Sequence, residues 1–385
     1  MSLKRLGLEG VAIVTAALTF GYMVMRLMEA HNLSLPSGQP LFGDYIAFWA
    51  AGRGALEGHA AQLHDPTFMY PFQKTIALDA RFFAPWNSPP TWLLICCVLA
   101  LLPYPVSALT FAISTFVFLL LVIRKFLPDW RSLIFPATAP AVLYQFGSIQ
   151  AGMLISGITG LALHWVDKRP RLAGALVGLL AIKPHLAILW PVFLALSRRW
   201  TAFVAAAVAA TAFVVFAGLV FGFDSYIRFF ENLERSQGLI SGQRITTPAY
   251  ASLFANLLGM HVPQAIAMGA HVVSAIGAVI AAGYCFLKGD RNAGGAALCA
   301  ATLLISPYMF FYDYTMLLIA GALLGVPRNL FGWIVAIFAW GAGYAIALAV
   351  YQVLPICPTA AWLVLIAAIM RVRNAASAPA QEQHT

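Results

Sequence analysis

Apolar stretches of about 20 residues recur along the whole of this chain, and a bilayer core about 30 Å thick demands that length of a spanning helix. No polar run between them is long enough for a separate soluble domain. The pattern therefore points to one large polytopic bundle, all α-helical. Composition agrees: 61% of the 385 residues are apolar and 10% are charged, where ordinary soluble domains carry about 25% charged residues.

The net charge of +9 does not point to nucleic acid. Most of the basic residues sit in short connectors or at the chain ends: Lys4-Arg5, Arg124-Lys125, Arg131, Lys168-Arg169, Arg171, Arg198-Arg199, Lys288, Arg291, Arg328, Arg371 and Arg373. Basic short loops are what the positive-inside rule places in the cytoplasm. The cysteines Cys96, Cys97, Cys285, Cys299 and Cys357 show neither a disulfide framework nor zinc spacing. The first apolar segment, Leu6 to Leu27, follows Lys4-Arg5 and lacks a small-residue cleavage site, which reads as a retained signal anchor.

Read in alternating directions, the apolar segments predict about 12 crossings with both termini inside. They are 6–27, 106–123, 132–149, 151–166, 171–183, 184–197, 201–221, 262–287, 293–306, 313–325, 330–350 and 359–371. Residues 89–103, broken by Leu102-Pro103-Tyr104-Pro105, read as a re-entrant or partly inserted helix. The polytopic domain spans 1–373, and the Ala-, Ser- and Gln-rich residues 374–385 are expected to be disordered. Two loops reach the far side, 28–88 and 222–261. Each carries an amphipathic segment, at Asp44 to Gly58 and at Asp224 to Arg235, expected to lie in the interface plane. Short spans beside Lys183-Pro184 and from Pro307 to Asp313 predict helices that stop at a cavity.

Polar residues in apolar surroundings supply the candidate site. Asp44 opens the first amphipathic segment at the water–lipid boundary, where a carboxylate is well placed to deprotonate a hydroxyl; the plainer alternative is a helix cap. Lys183, in Ala181-Ile182-Lys183-Pro184-His185, is either a snorkelling lysine or a phosphate ligand, with His185 as a second donor. Asp313, in Phe311-Tyr312-Asp313-Tyr314, reads as a cap, a partner for an arginine, an acceptor of sugar hydroxyls or a partner that orients Lys183. Arg53 and Arg81 either bind phosphate or pair with Glu57 and Asp79. Gln150, Tyr45, Trp49 and Tyr312 are the remaining candidates for sugar or acceptor contacts. No Walker loop, dinucleotide fingerprint, Gly-x-Ser-x-Gly elbow or His-Glu-x-x-His site occurs, and no Asp-x-Asp element. Neither cofactor nor metal is expected.

Four ordered pieces carry a family resemblance. They are Gly43-Asp44-Tyr45 with Phe48-Trp49-Ala50-Ala51, Leu56-Glu57-Gly58 and Leu63-His64-Asp65-Pro66; then Asn87-Ser88-Pro89-Pro90 before a run ending Leu101-Leu102-Pro103; then Ile182-Lys183-Pro184-His185 with Arg198-Arg199-Trp200; and Ser306-Pro307-Tyr308 with Tyr312-Asp313-Tyr314. In these the chain resembles the GT-C polytopic glycosyltransferases, most closely glycosyltransferase family 87, the polyprenyl-phosphate-mannose-dependent α-mannosyltransferase group. The resemblance implies a GT-C-like bundle in the inner membrane with its active site on the periplasmic side. It also implies a polyprenyl-phosphate sugar as donor and a lipid or glycan hydroxyl as acceptor. The family's first-loop aspartate, the presumed base, maps to Asp44, and its Lys-Pro element, which would contact the donor phosphate, maps to Lys183. One departure stands out: mycobacterial members tend to carry histidines where this chain has Tyr312-Asp313. The competing class is a transporter or flippase of lipid-linked saccharides. Its usual inverted repeats and midplane charges are not evident here. A non-catalytic envelope scaffold is a third reading.

Overall fold

Proline and glycine decide where this apolar chain stops being helical. The computed structural model describes residues 3–127, 129–242, 250–345 and 354–377, in which isolated β-bridges are the only extended pairing. Helix α1 (Leu3–Met28) runs unbroken. The first outer segment follows with α2 (Tyr45–Leu56) and α3 (Pro66–Lys74). Next come α4 (Pro90–Leu99) and α5 (Tyr104–Ile123), separated by a turn that Pro103 enforces. The stretch 132–149, expected as one span, is instead two single turns, α6 (Ile134–Ala137) and α7 (Pro140–Leu143), flanked by 3-10 turns. Pro140 lacks the N–H that a continuous helix needs there, so α7 starts afresh with Pro140 in its first turn.

Three short helices lead to the site: α8 (Gly152–Trp165), α9 (Pro170–Leu179) and α10 (Trp190–Leu196). Helix α11 (Trp200–Phe221) then leads to the second outer segment, with α12 (Asp224–Gly242) and α13 (Leu253–Gly259). The bundle closes with α14 (Gln264–Lys288), α15 (Arg291–Ile305), α16 (Met316–Leu324), α17 (Leu330–Gly341) and α18 (Ile356–Ser377). Helix α18 makes residues 374–377 helical rather than disordered. Residues 378–385, the rest of that expected tail, lie outside the described residues, as do 346–350 of the segment 330–350.

Among the described residues, five helices are long and apolar enough to cross a bilayer: α1, α5, α11, α14 and α18. The remaining apolar helices are shorter. Val204, Val208, Phe216 and Leu219 on α11, and Val273, Ile276 and Ile280 on α14, are all more than half exposed. Such surfaces belong in lipid rather than water. Inside, α15 and α16 are buried almost throughout. Helices α9 and α11 meet backbone to backbone: a Cβ on Gly174 would fall 2.3 Å from the Ala202 carbonyl oxygen, and one on Gly178 2.6 Å from Ala209. This is the small-residue seam by which membrane helices gain dispersion contact.

Helix α2 departs from its expected interfacial position. Most of it is buried, with Tyr45, Ile46, Phe48 and Ala50–Gly54 largely out of reach of solvent and only Arg53 exposed in that last stretch. Its small residues let it press onto α4, where a Cβ on Gly52 would lie 2.1 Å from the Cys96 carbonyl oxygen. Phe48 meets Trp92 edge-on at 5.2 Å. Helix α12 leaves Ile227 and Phe230 exposed, while Phe229, expected on the interfacial face with Tyr226, Phe230 and Leu233, is buried. Its other face docks on the first outer segment, where Asn232 donates to Asn87 Oδ1 at 2.8 Å and Phe229 packs on His64 at 5.9 Å.

Candidate active site

Asp44 immediately precedes α2, yet its side chain does not cap that helix. The backbone before it turns sharply, with positive φ at Phe42 and Gly43. A Cβ on Gly43 would sit 2.8 Å from Ser148 Oγ, so only glycine lets the loop 147–150 lie this close. Ile149 N–H donates to the Phe42 carbonyl at 3.2 Å. That register delivers Gln150, which donates through Nε2 to Asp44 Oδ2 at 2.8 Å. The cap reading of Asp44 is thereby excluded, and the carboxylate is left with a neutral partner.

Lys183 stands between two 3-10 turns, Leu180–Ile182 and Pro184–Leu186. Pro184 holds it out of the helical region at φ −145°. Thr91 Oγ1 donates to the Ala181 carbonyl at 2.8 Å and ties this break to the start of α4. The Lys183 ammonium donates to Asp313 Oδ1 at 2.5 Å and lies 4.7 Å from the centre of the Tyr312 ring. Asp313 is fully buried, and its Oδ2 has no hydrogen-bond partner among the described residues. The pair is therefore a structural partnership between Lys183 and a carboxylate, which removes both the snorkelling and the capping readings.

The turn that carries Asp313, Phe311–Thr315, is anchored from behind by α8. Ser156 and Thr315 share a hydroxyl hydrogen bond at 2.8 Å, and Gln145 Nε2 donates to the Tyr312 carbonyl at 3.4 Å. A Cβ on Gly152 would lie 2.3 Å from that same carbonyl oxygen. Asp44 and Lys183 lie within Coulombic reach of one another. The Asp44 charge also reaches Tyr144, Tyr250 and Tyr312. Burial pushes the Asp44 carboxyl above its ordinary range; the Gln150 hydrogen bond and the Lys183 charge pull it back only in part. The residue nonetheless keeps a minor part of its surface exposed, as a group that meets substrate must.

Asp44, Gln150, Lys183, Tyr312 and Asp313 thus come together. His185 is exposed on the next turn, making no side-chain hydrogen bond among the described residues. Four other candidates serve elsewhere. Tyr45 is fully buried and hydrogen-bonded to Ser107 at 2.6 Å, and Trp49 Nε1 donates to the Leu102 carbonyl at 2.8 Å. Together they fix α2 on the first turns of α5 and on the turn before it. Arg53 pairs with Glu57 at 2.7 Å on the exposed face of α2. Arg81 packs its stem on Gly38 and lines a separate hollow of about 170 Å³ with Glu29, His31 and Asp79. No three metal-ligating side chains gather among the described residues.

An aromatic stack next to Lys183 was missed in the sequence. Phe310 lies parallel to Tyr312 at 5.0 Å, and Tyr250 packs on Phe310 at 4.5 Å. A β-bridge holds the end of the second outer segment there: Ala251 N–H donates to the Met309 carbonyl at 2.7 Å and Tyr314 donates to the Ala251 carbonyl at 3.0 Å. Alternating aromatics at Tyr308, Phe310 and Tyr312 are a period-two signal for one face of an extended segment. Tyr250 carried no such signal, because its partner is 60 residues away in sequence.

The model for glycosyltransferase family 87 matches residues 86–307, more than half of the chain. Gln150 and Lys183 fall inside the matched stretch, whereas Asp44 precedes it and Asp313 follows it. Comparison with curated proteins and with solved structures returns no match.

Proposed function

The chain belongs to glycosyltransferase family 87, a family of membrane glycosyltransferases, and on that premise we propose a specific donor, base and direction for the transfer. The donor is a polyprenyl-phosphate sugar, with mannose the leading candidate, and the acceptor is a lipid or glycan hydroxyl. Transfer takes place on the periplasmic side of the inner membrane, within a bundle that crosses it several times. One observation carries the reading: Asp44 is a partly accessible carboxylate held by a neutral amide, with a lysine within electrostatic reach.

In the reaction the acceptor oxygen loses its proton to Asp44 Oδ1 while Gln150 holds Oδ2. That oxygen forms a bond to the anomeric carbon, and the bond from the anomeric carbon to the phosphate oxygen breaks. The electron pair leaves with the polyprenyl phosphate, which gains one negative charge. The Lys183 ammonium stabilises that charge as it develops. A single displacement inverts the anomeric centre. Asp313 positions the ammonium, and its pairing with Lys183 marks it as unsuited to the role of base.

The test is transfer of radiolabelled mannose from synthetic polyprenyl-phosphate-mannose into membrane lipids and glycans, by wild type and by Asp44→Asn. Label with wild type alone supports the proposal, and its mobility identifies the acceptor. An active Asp44→Asn enzyme removes Asp44 from the role of base. Inactivity of the wild type across a panel of lipid-linked sugars overturns the donor class.

A further inference from the structure

We propose that the end of α9 remote from Lys183 binds the phosphate headgroup of an anionic phospholipid. A cleft of about 440 Å³ opens there, lined by Arg169, Pro170, Arg171, Leu172 and Thr201. Arg169 is exposed and stacks on Trp165 at 5.6 Å; Arg171 is exposed as well. Neither has a carboxylate partner among the described residues, because Asp167 of the same connector is taken by Arg199 at 2.8 Å.

The placement of these charges breaks a local rule. Arg169 precedes α9 and Arg171 lies in its first turn, which holds no acidic residue, while Arg199 at the start of α11 is already neutralised by Asp167. The first turn of a helix is the positive end of its dipole, where cations are unfavourable and anions are stabilised. Two arginines without a carboxylate at the start of α9 cost stability unless an anion sits beside them. The glycine seam at Gly174 fixes the two helices together one turn further in, so the cleft is held in shape by backbone contact.

The apolar surface next to the cleft distinguishes a lipid from a free anion. Leu172 is 41% exposed, Trp200 57%, Val204 58% and Val208 65%. They form a strip that starts at the cleft and follows α11 into the bilayer, with Trp200 at the level where membrane helices carry interfacial aromatics. A phosphodiester with acyl chains satisfies both the arginines and the strip. Inorganic phosphate satisfies only the arginines. The site does not depend on the reaction proposed above.

The experiment is native mass spectrometry of the full-length protein with phosphatidylglycerol or phosphatidylcholine, with and without millimolar inorganic phosphate. Wild type is compared with Arg169→Gln/Arg171→Gln and with Arg328→Gln, a basic residue of a different connector. The expected result is preferential retention of phosphatidylglycerol by wild type and Arg328→Gln, unaffected by phosphate, and roughly ten- to thirty-fold weaker retention by the double variant. Equal retention by all three proteins overturns the site. Equal loss in Arg328→Gln reduces it to general surface charge, and displacement by inorganic phosphate shows a soluble-anion site instead. If the double variant does not fold, the two single substitutions carry the same comparison.

Discussion

The two ends of α9 handle positive charge in opposite ways. Beyond its C-terminal end, Lys183 is shielded by a fully buried aspartate and an aromatic face. At its N-terminal end, Arg169 and Arg171 face outward with no carboxylate partner among the described residues. The lesson is about what each charge is for. A cation proposed to act at one atom is held in place by a partner that offsets its charge in a setting of low dielectric. Cations meant to gather a mobile lipid do best unpaired and exposed.

The largest expected effect bears on the Lys183 end. Asp44→Asn keeps the hydrogen bond to Gln150 within reach but removes the base, and mannosyl transfer should fall roughly 100- to 10,000-fold with little change in expression or thermal midpoint. Second is the pair itself. Lys183→Met leaves the buried Asp313 carboxylate alone and should destabilise the protein by roughly 3–5 kcal/mol. Asp313→Asn should cost less, because Lys183 keeps the Tyr312 face and 16% exposure. Denaturation in one detergent separates the two, and equal losses would break the claim that Asp313 is the more deeply committed partner.

A third prediction concerns pH. Only ionised Asp44 accepts a proton, so kcat/KM should fall as pH drops through a pKa raised above the ordinary carboxylate value of 3.8. Gln150→Ala removes a hydrogen bond that favours the charged form, and should move that acid limb upward. An unmoved limb would separate Gln150 from the base. The smallest effect belongs to the other end: Arg169→Gln/Arg171→Gln should leave the rate of transfer within about twofold of wild type under saturating donor, since surface substitutions away from a site change little. A large loss of kcat would mean the two ends are coupled.

The outer segment supplies a test of its own. His64 Nδ1–H donates to the Trp86 carbonyl at 3.0 Å, and burial lowers its pKa to about 4. The unfolded chain binds a proton near pH 6.5 that the folded chain refuses until about 4, so stability should decline as pH falls across that window. His64→Gln should flatten that decline in thermal melts taken between the two values.

Much of the candidate site was legible because chemistry out of place is conspicuous. An aspartate and a lysine next to proline in apolar sequence have few uses, and both Asp44 and Lys183 were found that way. Gln150 was legible only as a possibility, since nothing local distinguishes an amide that lines a cavity from one that does not. Tyr45 and Trp49 misled for the opposite reason. Their spacing correctly predicted an apolar, aromatic face, but spacing is blind to what that face meets. The buried Ala50-Ala51-Gly52 run allowed α4 to cover it. Arg53 and Arg81 were eligible by charge alone, and charge alone does not set direction.

The sequence by itself determined the membrane environment, the all-helical build, the connectors rich in arginine and lysine and the helix breaks at Pro103 and Pro184, though not the one read over at Pro140. These follow from composition, hydropathy and proline, which act within one or two turns of chain. Tertiary structure decided the partnerships: that Gln150 meets Asp44, that Asp313 rather than phosphate alone faces Lys183, that Tyr250 bridges to Phe310, and that α2 is buried. Each joins segments far apart in the chain, through close approaches at Gly43, Gly52 and Gly152. A glycine permits such an approach without naming its partner, and only packing of the whole bundle selects it.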